Sequence, residues 1–399
     1  MSHSSKPRLP PEASTRPPTG RTPASPSSPG DRLLDSLLYA EAGSAQFAAG
    51  DVDGAIRLWE QALQHDPRRV DAWVDLGRAR RLAGRTREAA ESLRRAVDLD
   101  PARSDGWLEL ARSLQDLGEN SDARSAYHRA LELRPDLAEA WSSLGAAAEA
   151  EGRHEEAVCC YRRSIELGCV DADVWCSLGN ACAALSRFED AAGAYGHALD
   201  AEPTSPRFWF NLAYARAGLG QLEAALQAYR RSVELAPEDH ATWYNLAGTL
   251  ADLGRAEEAA RAYRVALGLR PDDPLSWNNL GNALVQLDRQ HEALACYRKA
   301  VEFRPDYDAA WNNLGVALDD LGESERALEA YSRAVHARPH GTTYLVNQAS
   351  VLVRTGRRAE AVERLASAIR IDPDVRGVLS GLAEFRELLR DPGLRPQDE

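Results

Sequence analysis

Five asparagine residues recur at one fixed interval in the second half of the chain. They are Asn211, Asn245, Asn279, Asn313 and Asn347, each 34 residues after the one before. Asn278, Asn282 and Asn312 add further amides to the same stretch. A carboxamide offers both N–H donors and a C=O acceptor. A row of them can therefore pair with the N–H and C=O groups of an extended peptide without reading its sequence.

A second group that could do chemistry is a cluster of cysteines near His154. Its members are Cys159, Cys160, Cys169, Cys176 and Cys182. They raise the question of zinc, but they form no C-x-x-C pair of the kind that structural zinc sites use. Cys160 and Cys296 instead stand at multiples of 34 residues from Ala126, Ala194 and Ala228, at one position of a repeat that is described below. We interpret the cysteines as small core residues and expect no metal and no cofactor.

Composition excludes several classes of partner. A net charge of −13 argues against nucleic acid, because binding to phosphates needs clustered positive charge. No stretch of 18 apolar residues and no secretory signal occur, so we expect a cytoplasmic protein without a membrane partner. Six cysteines without a regular framework fit a reducing compartment. The dominance of arginine over lysine and the many alanines favour a bacterial source.

Tryptophan reveals the organisation that positions these residues. Eight tryptophans are spaced by 34 residues, namely Trp73, Trp107, Trp141, Trp175, Trp209, Trp243, Trp277 and Trp311. Counting Ser36 as position 1 gives ten registers that run to about residue 375 without insertion or deletion. A strict period of this length is the mark of a repeat protein.

Within each register the apolar and small residues predict two amphipathic helices. They fall at positions 4, 7, 8 and 11 and again at 20, 24, 27 and 28, which is helical spacing. Position 8 is always glycine or alanine, and position 20 is always alanine. Position 4 is usually tryptophan and position 24 usually tyrosine. We expect these large rings to pack in the core against the small residues.

Glycine and proline mark the ends of the predicted helices. Position 15 is glycine in eight repeats, where a helix that ends in a left-handed residue needs it, with Ser186 and Asp288 as the exceptions. Position 32 is proline in nine repeats and stops the second helix, with Cys169 as the departure. Each repeat is therefore predicted to be a helical hairpin.

One repeat carries a family resemblance almost residue for residue. Residues 277–281, with the sequence Trp-Asn-Asn-Leu-Gly, are followed by Ala293, Tyr297, Ala300 and Pro305. This pattern resembles the tetratricopeptide-repeat (TPR) consensus, and it covers about 340 of the 399 residues. The resemblance implies an all-α fold, a right-handed superhelical solenoid whose first helices line a concave groove. It says little about function, because this family serves as a binding scaffold in many processes.

The resemblance also implies which positions face the groove: 2, 5, 6, 9, 12 and 13. The asparagine row occupies position 6 and is expected to face solvent. It resembles the asparagine ladder in the repeat region of O-GlcNAc transferases, which holds substrate polypeptides by their backbone. Asparagine at position 6 is also a common consensus choice of the family. Peptide binding and consensus therefore remain alternative explanations of the row.

Other groove positions have two interpretations as well. Phe210, Tyr214 and Tyr244 adjoin the row and can anchor a partner's side chain, although aromatic residues at position 5 are ordinary for the family. The acidic positions of the first half are Asp71, Asp75, Asp105, Glu109, Glu139 and Asp173. They can attract a basic ligand, but Asp75 with Arg78 and Glu109 with Arg112 stand three residues apart, which favours a salt-bridged face.

Four segments are predicted along the chain. Residues 1–30 are rich in proline and serine and are expected to be a disordered tail. Residues 31–375 hold the ten tandem repeats. Residues 376–390 carry an apolar stripe and are predicted to form one capping helix that ends before Pro392. Residues 391–399 form a second disordered tail.

Two sharper functions do not fit the residues. The carboxylate clamp by which some family members bind chaperone tails needs a basic residue at position 5, and position 5 holds none. A transferase of the O-GlcNAc type would need a large catalytic domain, while only residues 376–399 follow the repeats. No nucleophile with a base, phosphate-binding glycine loop or carboxylate pair stands out. We therefore expect a protein that is not an enzyme and has no small-molecule substrate.

Three functional hypotheses remain. The first is a protein-interaction scaffold that binds an extended polypeptide in its groove. The second is an accessory subunit that presents substrates to a separately encoded glycosyltransferase or other modifying enzyme. The third is self-association, in which the groove of one copy binds the cap or tail of another.

Overall fold

The computed structural model describes residues 29–394, and these residues are helical with no β-strand. They divide into two units, residues 29–168 and residues 169–394. In each unit an odd-numbered helix packs along the even-numbered helix that follows it, and successive hairpins stack. The all-α fold of helical hairpins is confirmed. Residues 1–28 and 395–399, which hold most of the two predicted tails, lie outside the described residues.

The first unit contains four hairpins. Its helices are α1 (Pro29–Ala48), α2 (Val52–His65), α3 (Val70–Leu82), α4 (Thr86–Leu99), α5 (Ser104–Asp116), α6 (Asn120–Leu133), α7 (Ala138–Ala150) and α8 (His154–Glu166). Helix α1 is longer than the others and begins at Pro29, so the last two residues of the predicted tail are helical.

The second unit contains six hairpins and a C-terminal segment. Its paired helices are α9 (Ala172–Ala184), α10 (Phe188–Ala201), α11 (Pro206–Gly218), α12 (Leu222–Leu235), α13 (His240–Asp252), α14 (Ala256–Leu269), α15 (Pro274–Gln286), α16 (Gln290–Phe303), α17 (Asp308–Asp320), α18 (Ser324–Ala337), α19 (Thr342–Arg354) and α20 (Arg358–Ile371). The segment after them begins with α21 (Val375–Gly381).

The core of each hairpin is the contact between positions 8 and 24. A Cβ atom added to Gly281 would lie 2.5 Å from the ring of Tyr297, and one added to Gly179 would lie 2.4 Å from the ring of Tyr195. Tyr127, Tyr195, Tyr229 and Tyr331 are among the largest fully buried side chains. The predicted packing of a large ring on a small residue is confirmed for these tyrosines.

The tryptophans are less buried than predicted, although Trp73, Trp107 and Trp141 pack against the core. All eight are half-buried, because the indole lies at the edge of the hairpin. There its Nε1 donates to the carbonyl oxygen of the proline six residues earlier, as in the bond from Trp277 to Pro271 at 2.8 Å. Trp175 follows Cys169, where the proline is replaced, and instead lies against the ring of His197 at 4.4 Å. Seven of the eight tryptophans therefore connect their helix to the turn that precedes it.

Position 15 adopts a left-handed backbone whatever residue stands there. The eight glycines at this position have positive φ, and so do the two exceptions, Ser186 at 59° and Asp288 at 60°. Side chains other than glycine rarely take this conformation. The turn geometry is therefore imposed by the packing of the two helices rather than by glycine itself.

The C-terminal cap is not the single helix predicted over residues 376–390. Helix α21 ends at Gly381, and three short 3-10 turns follow at Ala383–Phe385, Leu388–Arg390 and Pro392–Leu394. Glycine is a poor helix former, and the backbone of Leu382 is extended, which interrupts the helix. The broken segment still buries Leu379, Phe385 and Leu388, whereas Val378 and Leu382 are exposed. Leu394 is also buried, so the predicted tail from residue 391 begins too early.

Candidate functional site

The asparagine row lies on the first helices of five successive hairpins in the second unit. Each asparagine of the row stands at the sixth residue of its helix, on α11, α13, α15, α17 and α19. All five side chains are half-buried, and Asn278 beside them is buried. The expectation that the row faces solvent is therefore wrong in part, because most of these amides also contact the preceding first helix.

The most extensive of these contacts links α17 to α15. The Nδ2 group of Asn313 donates to Oδ1 of Asn278 at 3.0 Å and to Oδ1 of Asn282 at 3.2 Å. Asn278 in turn donates to Oδ1 of Asn279 at 3.1 Å. Three hairpin positions, 5, 6 and 9, thus form one amide network that the sequence did not predict as a network.

The same connection recurs along the unit with other acceptors. Asn347 donates to Oδ1 of Asn312 at 2.9 Å, and Asn279 donates to the hydroxyl of Tyr244 at 3.1 Å. Asn211 donates to Oδ1 of Asn180 at 3.1 Å. Asn180 was missed in the sequence, although the amide at position 9 in both α9 and α15 is the signal that identifies it.

Asn245 is the exception in the row. Its Nδ2 donates to the carbonyl oxygen of Ala241 in its own helix at 2.8 Å. In the part of the chain that the structure describes, the Oδ1 atoms of Asn245 and Asn347 accept no hydrogen bond. Asn279 and Asn347 each use one of their two Nδ2 hydrogens for the contact with the preceding helix. The row therefore retains donors and acceptors for a ligand alongside its internal bonds.

Buried tyrosines of the second helices donate hydrogen bonds to the amides at position 9. The hydroxyl of Tyr195 donates to Oδ1 of Asn180 at 2.8 Å, and that of Tyr297 donates to Oδ1 of Asn282 at 2.8 Å. Burial raises the pKa of Tyr297 well above its usual range, so the phenol remains a neutral donor. These bonds fix the orientation of the amide that Asn313 or Asn211 then contacts.

The three candidate aromatic anchors differ in exposure. Tyr214 is 51% exposed and meets the ring of Phe188 edge to face at 6.3 Å. Phe210 and Tyr244 are half-buried against Tyr229 at 5.7 Å and Tyr263 at 5.9 Å. About half of the surface of Tyr214 is thus available to a partner, while Phe210 and Tyr244 are less accessible.

The first unit uses ion pairs where the second uses amides. Glu109, at position 6 of α5, is buried with 4% exposure. Its carboxylate lies 3.2 Å from Nε of Arg78 and 3.3 Å from Nη1 of Arg112. Arg78 also lies 3.5 Å from Asp75. The predicted pairing of the acidic positions with neighbouring arginines is confirmed. The burial of Glu109 was not predicted.

The cysteines are not uniformly core residues. Cys160, Cys176, Cys182 and Cys296 are buried, as expected, whereas Cys159 is exposed and Cys169 is half-buried. Burial raises the pKa of the Cys160 thiol to about 12 and that of Cys296 to about 11. Within residues 29–394, no three histidine, cysteine, aspartate or glutamate side chains come together as a set of metal ligands.

The geometry alone defines the general class of this protein. Tandem helical hairpins, each with a left-handed residue in the turn between its two helices, make this a helical-repeat protein. A tetratricopeptide repeat model matches residues 41–104, 108–168, 176–240 and 217–274, which together cover more than half of the chain. Further models match residues 281–322 (TPR repeat) and 308–340 (tetratricopeptide repeat). The chain belongs to the tetratricopeptide repeat family, whose members are generally protein-interaction scaffolds.

Solved structures are similar to the chain in fold alone. The crystal structure of MamA protein has 21% sequence identity and a TM-score of 0.41, and the match covers 43% of this chain and 94% of that chain. The crystal structure of the APC/C hetero-tetramer Cut9-Hcn1 has 17% identity and a TM-score of 0.45, over 91% of this chain and 76% of that chain. Among curated protein sequences, none matches the chain. None of the helices in residues 29–394 has the length and apolar character to cross a membrane.

Proposed function

We propose that the protein is a non-catalytic interaction scaffold whose second unit binds an extended polypeptide along the asparagine row. The observation that carries this proposal is the placement of five amides at one position of five successive helices, with donors and acceptors left over from their internal bonds. A regular row of donors and acceptors suits a regular backbone better than it suits a compact ligand.

The internal bonds decide how such a ligand would bind. Asn245 and Asn347 have open Oδ1 atoms that can accept from peptide N–H groups, while the spare Nδ2 hydrogens of Asn279 and Asn347 can donate to peptide carbonyls. Each bond replaces one to water, so each contributes only about 0.5–1.5 kcal/mol. The bonds to neighbouring helices hold the amides in place beforehand, which lowers the entropy lost on binding. The mode resembles the asparagine ladder of O-GlcNAc transferase repeats.

A library of random dodecapeptides, passed over the immobilised full chain, provides the ligand for the test. One retained peptide is then compared with a copy that is N-methylated at alternate residues, which removes backbone donors but keeps every side chain. We expect N-methylation to weaken binding at least tenfold by calorimetry. We also expect the triple variant Asn245→Ala, Asn279→Ala, Asn347→Ala to weaken the unmodified peptide at least tenfold.

The matched control is Ser177→Ala, which changes position 6 of α9 outside the asparagine row. It should leave binding within about twofold of the parent. Equal affinity of the parent for the N-methylated and unmodified peptides, or equal affinity of the triple variant and the parent, would refute backbone binding by the row. The row would then be consensus, with its amides serving only to join the helices.

A further inference from the structure

A hollow opens beside the asparagine row in the second unit. It measures about 240 Å³ and is lined by Phe188, Tyr214, Tyr244, Gly248 and Asp252, among others. Gly248 stands at position 9, where the neighbouring helices carry Tyr214 and Asn282. A Cβ atom added to Gly248 would meet only the hydroxyl of Tyr263, at 3.7 Å. The missing side chain is therefore what leaves the space open.

The aromatic walls of the hollow are held in place. Tyr214 rests edge to face on Phe188, and Tyr244 rests edge to face on Tyr263. The hydroxyl of Tyr244 also accepts the bond from Asn279. Because two contacts hold Tyr244, its ring loses little entropy when a ligand contacts it. The face of an aromatic ring carries partial negative charge and attracts cations.

The carboxylate at the rim of the hollow is negatively charged, like the faces of the aromatic rings. Asp252 is exposed, and within residues 29–394 no arginine, lysine or histidine forms an ion pair with it. None of the residues that line the hollow is basic. Two other groove carboxylates of this unit are paired, Asp173 with Arg207 and Asp319 with Arg354, whereas Asp320 on α17 has no ion pair among the described residues and does not line this hollow. No basic side chain in this part of the chain thus pairs with the carboxylate of Asp252, which lines the hollow together with Tyr214 and Tyr244.

We infer that this hollow binds a basic side chain of the extended polypeptide, with arginine favoured over lysine. A planar guanidinium can stack on a tyrosine ring and pair with a carboxylate at the same time, which a lysine ammonium cannot do with the same geometry. This inference rests on the proposed function, since Asn245 and Asn279 line the same hollow and would hold the peptide backbone beside it. It adds a requirement that the asparagine row alone does not impose.

The test begins with the random dodecapeptide library passed over the immobilised full chain and its variants. We expect the parent to enrich arginine or lysine at one fixed position at least fivefold over the input. The enrichment should be lost in Asp252→Asn and in Gly248→Leu, which fills the hollow at a position where large side chains fit in neighbouring helices. Asp272→Asn, an exposed carboxylate in the loop before α15, is the charge-matched control and should retain it.

A second measurement separates charge from shape. Two copies of one retained peptide are made, which differ only at the selected basic position. One copy has arginine there and the other has citrulline, the neutral isostere of arginine. Calorimetry measures the affinity of each copy. The parent should bind the citrulline copy at least fivefold more weakly than the arginine copy. Asp252→Asn should reduce that difference to about twofold or less, since the interaction with the carboxylate is then already absent.

Each outcome decides between the two proposals. Selection of large apolar residues at the fixed position, or equal binding of the arginine and citrulline copies by the parent, would overturn the basic subsite. Retained peptides without any positional preference would overturn the subsite and leave backbone binding intact. If the parent retains no peptide at all, the proposed function and the subsite both fail.

Discussion

Asn313 and Asn278 stand on consecutive first helices, and the amide of one donates to the amide of the other at 3.0 Å. The pair Asn347 and Asn312 repeats this bond at 2.9 Å one hairpin further along. In the first unit Arg78 and Glu109 join α3 to α5 at 3.2 Å, through positions 9 and 6 and with charges in place of amides. Position 6 therefore links successive hairpins within each unit, besides any role in binding.

Substitution of Asn313 by alanine should lower stability measurably. The variant loses two hydrogen bonds, to Asn278 and Asn282, each worth about 0.5–1.5 kcal/mol. Asn245→Ala is the matched control, because its amide bonds only within α13, and it should change the free energy of unfolding by less than about 0.5 kcal/mol. Urea denaturation followed by circular dichroism measures both. Equal effects of the two substitutions would show that the bonds between helices contribute nothing.

Loss of the buried carboxylate in the first unit should cost more. Glu109→Ala leaves Arg78, Arg81 and Arg112 around a site that has lost its counter-charge. Removal of one partner of a buried ion pair typically costs about 3–5 kcal/mol. Glu139→Ala removes an exposed partner of Arg112 and should cost no more than about 1 kcal/mol. Thermal unfolding at low and high salt measures the loss of stability in each variant. Equal losses of stability in Glu109→Ala and Glu139→Ala would contradict the prediction.

The repeat pattern predicts the hairpins because each rule in it is local. Helical spacing, the glycine at position 15 and the proline at position 32 report on single turns of chain, and the structure has a helix end at each of them. Even where glycine is absent, at Ser186 and Asp288, the period predicts the turn, and the backbone there is left-handed as the period requires.

The partners of the polar residues could not be predicted in the same way. Whether Asn245 bonds within its own helix while Asn313 bonds to α15 depends on which side chain stands at positions 5 and 9 of the preceding repeat. Those are Phe210 and Tyr214 before Asn245, but Asn278 and Asn282 before Asn313. The burial of the tryptophans was overestimated for a related reason, since the indole N–H needs a carbonyl acceptor, and it finds one at the hairpin edge.

Stability should fall steeply at high pH. Burial raises the pKa of Tyr127 to about 12 and that of Tyr229 above its usual range. The folded protein therefore keeps phenolic protons that an unfolded chain loses near pH 10. A raised pKa contributes stability that is complete below the unfolded value and is lost as pH rises through the folded value. Urea denaturation between about pH 8 and pH 12 should show little change below about pH 9 and a progressive loss above about pH 10.

Tyr229→Phe tests the assignment of that loss. Phenylalanine keeps the ring in the core and removes the titrating group, so the slope of unfolding free energy against pH above about pH 10 should become shallower than in the parent. Parallel curves for the parent and Tyr229→Phe would place the alkaline sensitivity elsewhere, for instance in the buried thiols of Cys160 and Cys296.

The bond from each tryptophan to the preceding proline can be measured by comparing two phenylalanine substitutions. Trp277→Phe removes the donor to the carbonyl oxygen of Pro271 along with part of the ring. Trp175→Phe removes the same part of the ring at the same position, but Trp175 follows Cys169 and lies against His197. Trp277→Phe should therefore cost about 0.5–1.5 kcal/mol more than Trp175→Phe, which is the contribution of one hydrogen bond.

The acceptor offers an independent check on the same bond. Pro271→Cys reproduces before α15 the residue type that stands before Trp175, and it should preserve the carbonyl oxygen while it frees the backbone of the turn. If the tryptophan bond needs the fixed turn, Trp277→Phe in the Pro271→Cys background should cost no more than Trp175→Phe does. A double-mutant cycle of unfolding free energies supplies the coupling. If Trp277→Phe costs the same in the parent and in the Pro271→Cys background, the bond forms without the proline, and the proline serves only to end the helix before it.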